Sequence, residues 1–151
     1  MPIRCEIVSQ DRMVWEGDAD MVVVPGSAGE MGILPNHAPL LSTIKFGFLK
    51  VKVKGTEEIF AIGGGVLEVQ PNLITILADS AENVDEIDVA RAEQARKRAQ
   101  EMLKEGAPKD PDAYLRMEAA LRRSNLRLDA VRRFRRGERS RMPSMGQTEA
   151  D

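Results

Sequence analysis

The feature that most constrains the fold is a change of hydrophobic period near residue 84. Before it, Ile3, Cys5 and Ile7 alternate with Arg4 and Glu6, and Phe48, Val51 and Val53 are interleaved with Lys50, Lys52 and Lys54. A period of two puts alternate side chains on opposite faces and predicts strands with one wet face. Further strand-like runs read DMVVVP, LLSTIKF, EEIFAIG, VLEV and LITILA, separated at short intervals by Gly, Pro and Asn. Many short strands with frequent turns predict an all-β sandwich or barrel. Gly63, Gly64 and Gly65 fall between two of these runs. They predict a bulge or sharp bend, because neither G-x-x-x-x-G-K-S/T nor G-x-G-x-x-G follows to make a phosphate loop.

After Val84 the period becomes helical. Asp85 is expected to cap a helix running to Lys104 or Glu105, with Gly106 as its stop. The segment GAPKDPD, carrying Pro108 and Pro111, reads as a loop. A second helix is expected from Pro111 or Asp112 to about Arg136. A short loop between two helices predicts an antiparallel hairpin. Its seam is thin: Tyr114, Met117, Leu121, Ser124, Leu128 and Val131 face mainly Ala92, Ala95, Ala99, Met102 and Leu103. Alanine methyls bury little apolar surface, so the hairpin is expected to be marginal. From Met142 the sequence has no period, and the expectation there is a disordered tail. The boundaries expected are therefore 1–84 for the β unit, 85–136 for the hairpin and 137–151 for a basic end and tail.

A length of 151 residues allows one domain with an appendage. Charge is divided unevenly along it. Residues 1–85 hold six basic against twelve acidic side chains, a net of −6, whereas residues 86–151 hold sixteen against twelve, a net of +4. The asymmetry predicts different partners for the two parts. With Cys5 as the one cysteine, no internal disulfide can form. No signal peptide and no apolar run long enough to span a bilayer is recognisable, so a soluble protein, able to sit on a membrane complex, is expected. His37 is the one histidine. Zinc coordination and Cys/His nucleophile chemistry therefore lack their residues, and His37 between Asn36 and Pro39 reads as a turn residue. No carboxylates form a recognisable acid/base pair.

The stretch EIDVARAEQARKR, residues 86–98, places Asp88, Arg91, Ala95 and Arg98 along one helical face. The second helix places Arg116, Ala120, Arg123 and Arg127 along one of its own. An antiparallel arrangement could bring Arg123 and Arg127 towards Arg91 and Arg98. Clustered guanidiniums repel one another, and an anion with several oxygens reverses the sign of that interaction. From spacing alone, the competing reading is a solvated cationic face.

Three stretches together resemble the epsilon subunit family of the F-type ATP synthase. GEMGILPNHAPLL, residues 29–41, is similar to that family's Gly-Glu-Leu-Gly-Ile-Leu-Pro-Gly-His-x-Pro-Leu signature; Met31 and Asn36 stand where leucine and glycine are usual. GGGVLEVQPNLITILAD, residues 63–79, resembles its closing strands, and IDVARA, residues 87–92, matches its Ile-Asp-x-x-Arg-Ala pattern. The resemblance implies a β-sandwich of about ten strands followed by a two-helix hairpin, in a subunit that is not itself an enzyme. It implies that the sandwich sits between the gamma subunit and the ring of c subunits, at the cytoplasmic face of a bacterial plasma membrane. The turn Glu30, Met31, Gly32, Ile33 would face the c ring, with His37 near gamma. The hairpin would regulate: folded on the sandwich it permits hydrolysis, and extended it opposes hydrolysis at the alpha/beta catalytic head. ATP would bind the folded hairpin as an allosteric ligand, without catalytic use; the motif does not specify magnesium. The positions carried over for ATP are Glu82, Ile87, Asp88, Arg91, Ala92, Arg98, Arg123 and Arg127, with Arg122 a neighbouring alternative to Arg123.

Residues 114–141 hold ten arginines against three acidic residues. Their plain reading is a solvated face, and an alternative function is nucleic-acid binding. Only Tyr114 and Phe134 are aromatic there, and no nucleic-acid module is recognisable. The resemblance instead directs RRFRRGERSR, including Arg132, Arg133, Arg135 and Arg136, at the catalytic head. A free-standing nucleotide hydrolase is disfavoured by the missing phosphate loop and metal-holding carboxylates.

Overall fold

The computed structural model describes residues 1–106 and 109–135. The basic end and tail expected at 137–151 lie outside the described residues, as does Arg136. Eight strands occupy the first part: β1 (Ile3–Ser9), β2 (Met13–Ala19), β3 (Met21–Gly26), β4 (Gly29–Ile33), β5 (Leu40–Val53), β6 (Thr56–Gln70), β7 (Leu73–Ala78) and β8 (Ala81–Asn83). They form one hydrogen-bonded sheet in the order β2-β1-β7-β6-β5-β3-β4, with β8 also on β6.

The sandwich arises because the long β5–β6 hairpin serves both layers. Its register runs from Leu40↔Val69 to Val53↔Thr56. One end of β6, Gly65–Gln70, carries β7, and β7 pairs in parallel with β1. The other end carries β8, while β5 carries β3. Between the layers lies the core, with Ile3, Cys5, Ile7, Val22, Val24, Ile33, Leu49, Val51, Phe60, Ile62, Leu67, Ile74 and Ile76 all buried. The period-two pattern of the sequence thus supplies one inward face to each layer.

The strand count is eight rather than about ten because two interruptions do not break strands. LLSTIKF and the Phe48–Val53 alternation are parts of β5, and EEIFAIG and VLEV are parts of β6. The glycine triplet is a bend within β6, as expected of it. Gly64 and Gly65 have φ of +96° and +146°, and a Cβ on Gly65 would collide with the Leu77 carbonyl oxygen. Lys45 and Gly64 drop out of the ladder there. Only glycine fits both the conformation and the space.

A 3-10 turn over Val84–Glu86 precedes α1 (Val89–Lys104), and α2 (Pro111–Phe134) returns beside it. The N-cap of α1 is Asp88 rather than Asp85: its carboxylate accepts from the Arg91 N–H at 3.1 Å. Asp85 is instead taken up in the 3-10 turn, where its N–H donates to Asn83 Oδ1. Ile87, 3% exposed and in extended conformation, must be delivered to the core before a helix can start. Gly106 ends α1 at φ +112°, and Asp110 followed by Pro111 starts α2.

The seam is as thin as expected. Ala92 and Ala99 are the buried residues of α1, and Ser124, Ala130 and Val131 those of α2. Ser124 Oγ donates to the Ala120 carbonyl at 2.9 Å, which satisfies it inside the helix. Met102, expected in the seam, is 47% exposed. A second, smaller core attaches the hairpin to the strands: Ala61, Val84, Ile87, Ala130 and Val131, flanked by Phe48, Ile59, Leu126 and Phe134.

Candidate functional site

Three places on the molecule gather the residues expected to function. The first is a recess of about 240 Å³ between the β-sandwich and α2. Glu82 enters from β8, and Arg123 and Arg127 from one face of α2. Arg127 Nε lies 2.7 Å from Glu82 Oε2. The approach lacks hydrogen-bond directionality and leaves Oε2 without a directed donor. Ser9 at the end of β1, Asp11 and Arg12 of the β1–β2 turn, and Asp79 and Ser80 after β7 add polar walls. Those five were missed in the sequence, where they lie far from the helices and no motif marks them.

The structure does not bring the whole expected set together. Ile87 and Ala92 are buried at 3% and 2%. Asp88 has its carboxylate engaged as the α1 cap, and Arg91 is exposed. Arg98 lines a different recess, with Ala95, Arg116 and Ala120. Arg122, the alternative to Arg123, points elsewhere, its guanidinium 4.4 Å over the Phe46 ring. Arg123 and Arg127 are thus the pair that shares a site with Glu82.

The second place is the junction at the end of α2. One guanidinium nitrogen of Arg135, Nη2, donates to the carbonyl oxygens of Val84 at 2.7 Å and Ile87 at 2.6 Å. Phe134 meets Phe48 edge to face, with centroids 5.0 Å apart, and Lys50 lies 5.5 Å from the Phe134 ring. Arg132 and Arg133 share Asp129, at 2.6 and 3.2 Å. Of the arginines directed at a catalytic head, Arg135 is therefore an internal anchor in this conformation: it supplies a donor to the Ile87 carbonyl where the chain turns into α1, and a second, shorter bond to the Val84 carbonyl, which the Ile87 N–H reaches only at 3.4 Å.

The third place is the outer surface of the sandwich. Glu30, Met31, Gly32 and Ile33 form strand β4 rather than a turn, paired with Pro25, Val24, Val23 and Val22. Ile33 is fully buried and cannot face a partner, whereas Glu30 and Gly32 are exposed at the end of the sheet order. His37 Nδ1 lies 2.7 Å from the Ala38 carbonyl oxygen, as a turn residue would. Asn36 beside it takes φ +64°, the left-handed conformation that glycine would supply. On the face of β2, β1, β7 and β6, cross-strand register aligns Met13, Val8, Leu77 and Val66 in one row ending at Thr43. Met13, Leu77 and Val66 are 46%, 55% and 38% exposed, a row of apolar side chains open to a partner.

Together these define a class of protein: a β-sandwich with an appended helical hairpin, with an exposed apolar row on the sandwich and a charged recess at the joint. Two family models match in succession, the beta-sandwich domain of the ATP synthase delta/epsilon chain over residues 2–84 and its long alpha-helix domain over residues 85–132. The chain belongs to the ATP synthase delta/epsilon chain family. It is 45% identical over 132 residues to the ATP synthase epsilon chain of Herpetosiphon aurantiacus, covering 87% of this chain and 96% of that one. The epsilon chain of Dehalococcoides mccartyi strain CBDB1 is 44% identical over 137 residues, 89% and 95% of the two chains. Among solved structures, a chain of the Euglena gracilis mitochondrial ATP synthase (OSCP/F1/c-ring) matches with a TM-score of 0.69 at 23% identity, over 86% of this chain and 81% of that one. A chain of the Tetrahymena thermophila mitochondrial ATP synthase (central stalk/c-ring) matches at 0.59 and 16%, over 87% and 97%. The chain thereby stands among subunits of a membrane-associated complex. Among the described residues, no helix is long and apolar enough to cross a membrane.

Proposed function

We propose that the chain is a non-catalytic subunit of the ATP synthase central stalk, at the cytoplasmic face of the bacterial membrane. In this reading it couples rotation between the catalytic head and the c ring through its sandwich and restrains ATP hydrolysis through its hairpin. The observation that carries the regulatory part is the restricted attachment of the hairpin. A small core holds the C-terminal turns of α2 to the strands, the Arg135 anchor holds the end of α2 to the turn and linker between β8 and α1, and an alanine-lined seam holds α1 to α2. An element so attached can exchange between docked and released states. The apolar row from Met13 to Val66 supports docking on the gamma shaft, and the outer edge of β4, with Glu30 and Gly32, supports contact with the c ring.

The recess between Glu82, Arg123 and Arg127 supports ATP as the allosteric ligand. Its walls belong to both the sandwich and α2, so an occupant favours the docked hairpin by mass action. Arg91, Asp88 and Arg98 then approach the ligand from α1 by a closing of the seam. The test is hydrogen exchange on the full chain with and without ATP. Residues 86–131 gain protection, and Arg91→Ala or Arg127→Ala removes the gain. An unchanged exchange pattern at saturating ATP refutes the ligand reading. For the coupling part, the chain co-purifies with gamma in a membrane-bound assembly, and recovery solely as a free protein refutes it.

A further inference from the structure

A second recess at the hairpin shares Leu126 with that of Glu82, Arg123 and Arg127 but none of its charged residues. It has a volume of about 650 Å³ and runs between α1, α2 and β5. Its floor is apolar, made by Phe46, Val89, Leu126, Leu128 and Val131, and its walls carry Arg96, Arg122, Arg132 and Arg133 against Glu93 and Asp129.

The charge accounting of the walls matters. Asp129 accepts from both Arg132 and Arg133, so one carboxylate is shared by two guanidiniums. Arg96 and Arg122 have no carboxylate partner within salt-bridge distance among the described residues. The Arg122 guanidinium carbon lies 4.4 Å from the Phe46 ring centroid, a cation–π contact that positions the group without using up its N–H donors. At 1.5 Å of rise per residue, Arg122 and Arg132 stand about 15 Å apart along α2. That is the length of about four to five extended residues.

We infer that this groove is a docking site for an acidic polypeptide segment in which apolar side chains alternate with carboxylates. Apolar side chains of such a segment cover the apolar floor, and its carboxylates meet Arg96 of α1, Arg122 of α2 and, further along α2, the Arg132–Arg133 pair. The interspersed Glu93 and Asp129 favour separated single carboxylates over the concentrated charge of a polyphosphate. Phe46 comes from the sandwich and the other lining residues from the hairpin, so the groove is complete only while the hairpin is docked. A segment bound there therefore holds the hairpin down, through different charged residues and with different chemistry from the nucleotide recess.

The probe is a short fluorescein-labelled peptide of alternating glutamate and leucine, titrated into the full chain by fluorescence anisotropy. Saturable binding is expected, with no binding of the alternating lysine and leucine peptide. Arg96→Gln combined with Arg122→Gln weakens binding by about tenfold or more, the loss of roughly one charge-assisted contact at about 1.4 kcal/mol per decade. Lys97→Gln, which removes one positive charge from an exposed neighbour outside the groove, leaves it within about twofold, as expected for a screened surface charge. Equal loss in Lys97→Gln reduces the effect to general charge attraction and overturns the inference. So does binding indifferent to the double substitution. Displacement by inorganic pyrophosphate at the concentration of the peptide assigns the groove to phosphate ligands instead, and likewise overturns it.

Discussion

Removing the Arg135 anchor is the most direct perturbation of the hairpin. Its Nη2 makes two charge-assisted hydrogen bonds, at 2.6 Å to the Ile87 carbonyl and at 2.7 Å to the Val84 carbonyl, which otherwise accepts only a long bond from the Ile87 N–H at 3.4 Å. Such bonds contribute about 1.5 kcal/mol each at the low end of their range, and the buried Nε of the same side chain, which has no partner, costs about 1 kcal/mol. The net is about 2 kcal/mol in favour of the docked end, a shift of about thirtyfold in the opening equilibrium. Native-state hydrogen exchange reads it directly. In Arg135→Ala, amides from Leu126 to Phe134 lose about thirtyfold in protection, while those of the β5–β6 ladder are unchanged. Loss of protection spread equally over the β5–β6 ladder would show that docking and sandwich stability are one cooperative unit. That outcome, or an unchanged α2, refutes the anchor.

Two further outcomes follow from the same structure. Asp88→Asn keeps a capping oxygen and removes the charge, so the stability of α1 changes by only a few tenths of a kcal/mol, whereas Asp88→Ala costs about 1 kcal/mol. If Asp88 also serves ATP through its charge, calorimetric ATP binding weakens in both variants, and equal affinity in Asp88→Asn and the parent chain removes it from the ligand set. The Cys5 thiol is pushed up from 9.0 to about 12, first by burial and then by Glu6. Above pH 9 the unfolded chain loses this proton and the folded chain keeps it, so stability falls by about 1.4 kcal/mol per pH unit until the folded thiol itself ionises. Urea denaturation from pH 8 to 11 with Cys5→Ala as control measures this. An identical pH slope in the two proteins refutes it, and a thiol reagent should label Cys5 only on unfolding.

How much was legible depended on whether a residue's role was local. The period-two alternation of Ile3, Cys5 and Ile7 marked β1 because each inward side chain reports its own burial. The glycine triplet was read as a bend for a similarly local reason, yet the strand it bends was counted as two. Continuity of β6 is enforced by its partner β5, whose register no single-strand pattern displays. Asp85 and Asp88 are equally good caps in sequence. The choice is made by Ile87, which the core of Val84, Ala130 and Val131 pulls inward across more than forty residues. At the recess, helical spacing found Arg123 and Arg127 together, and the resemblance supplied Glu82. Arg12 and Asp79 arrive by tertiary folding and leave no local trace. The resemblance directs Arg135 at the catalytic head, while in this conformation its acceptors are two carbonyls some fifty positions away, a pairing that no local pattern displays.

The anchor and the recess bias the same opening, which makes their effects additive on one equilibrium. Arg127 and Glu82 straddle the joint that Arg135 bolts a little further along α2. A ligand at about 100 times its dissociation constant contributes about 2.7 kcal/mol to the state that binds it. That exceeds the roughly 2 kcal/mol lost with the Arg135 hydrogen bonds, taken from the net values above. Saturating ATP should therefore return Arg135→Ala to at least the α2 protection of the unliganded parent chain. Linkage adds a second requirement: the variant, being more often open, binds ATP more weakly only to the extent that its open fraction is appreciable. If calorimetry shows ATP bound to Arg135→Ala while exchange from Leu126 to Phe134 stays fast, the ligand occupies a site that survives release of the α2 end. The recess would then lie off the path of opening, and nucleotide could not act on the hairpin through it.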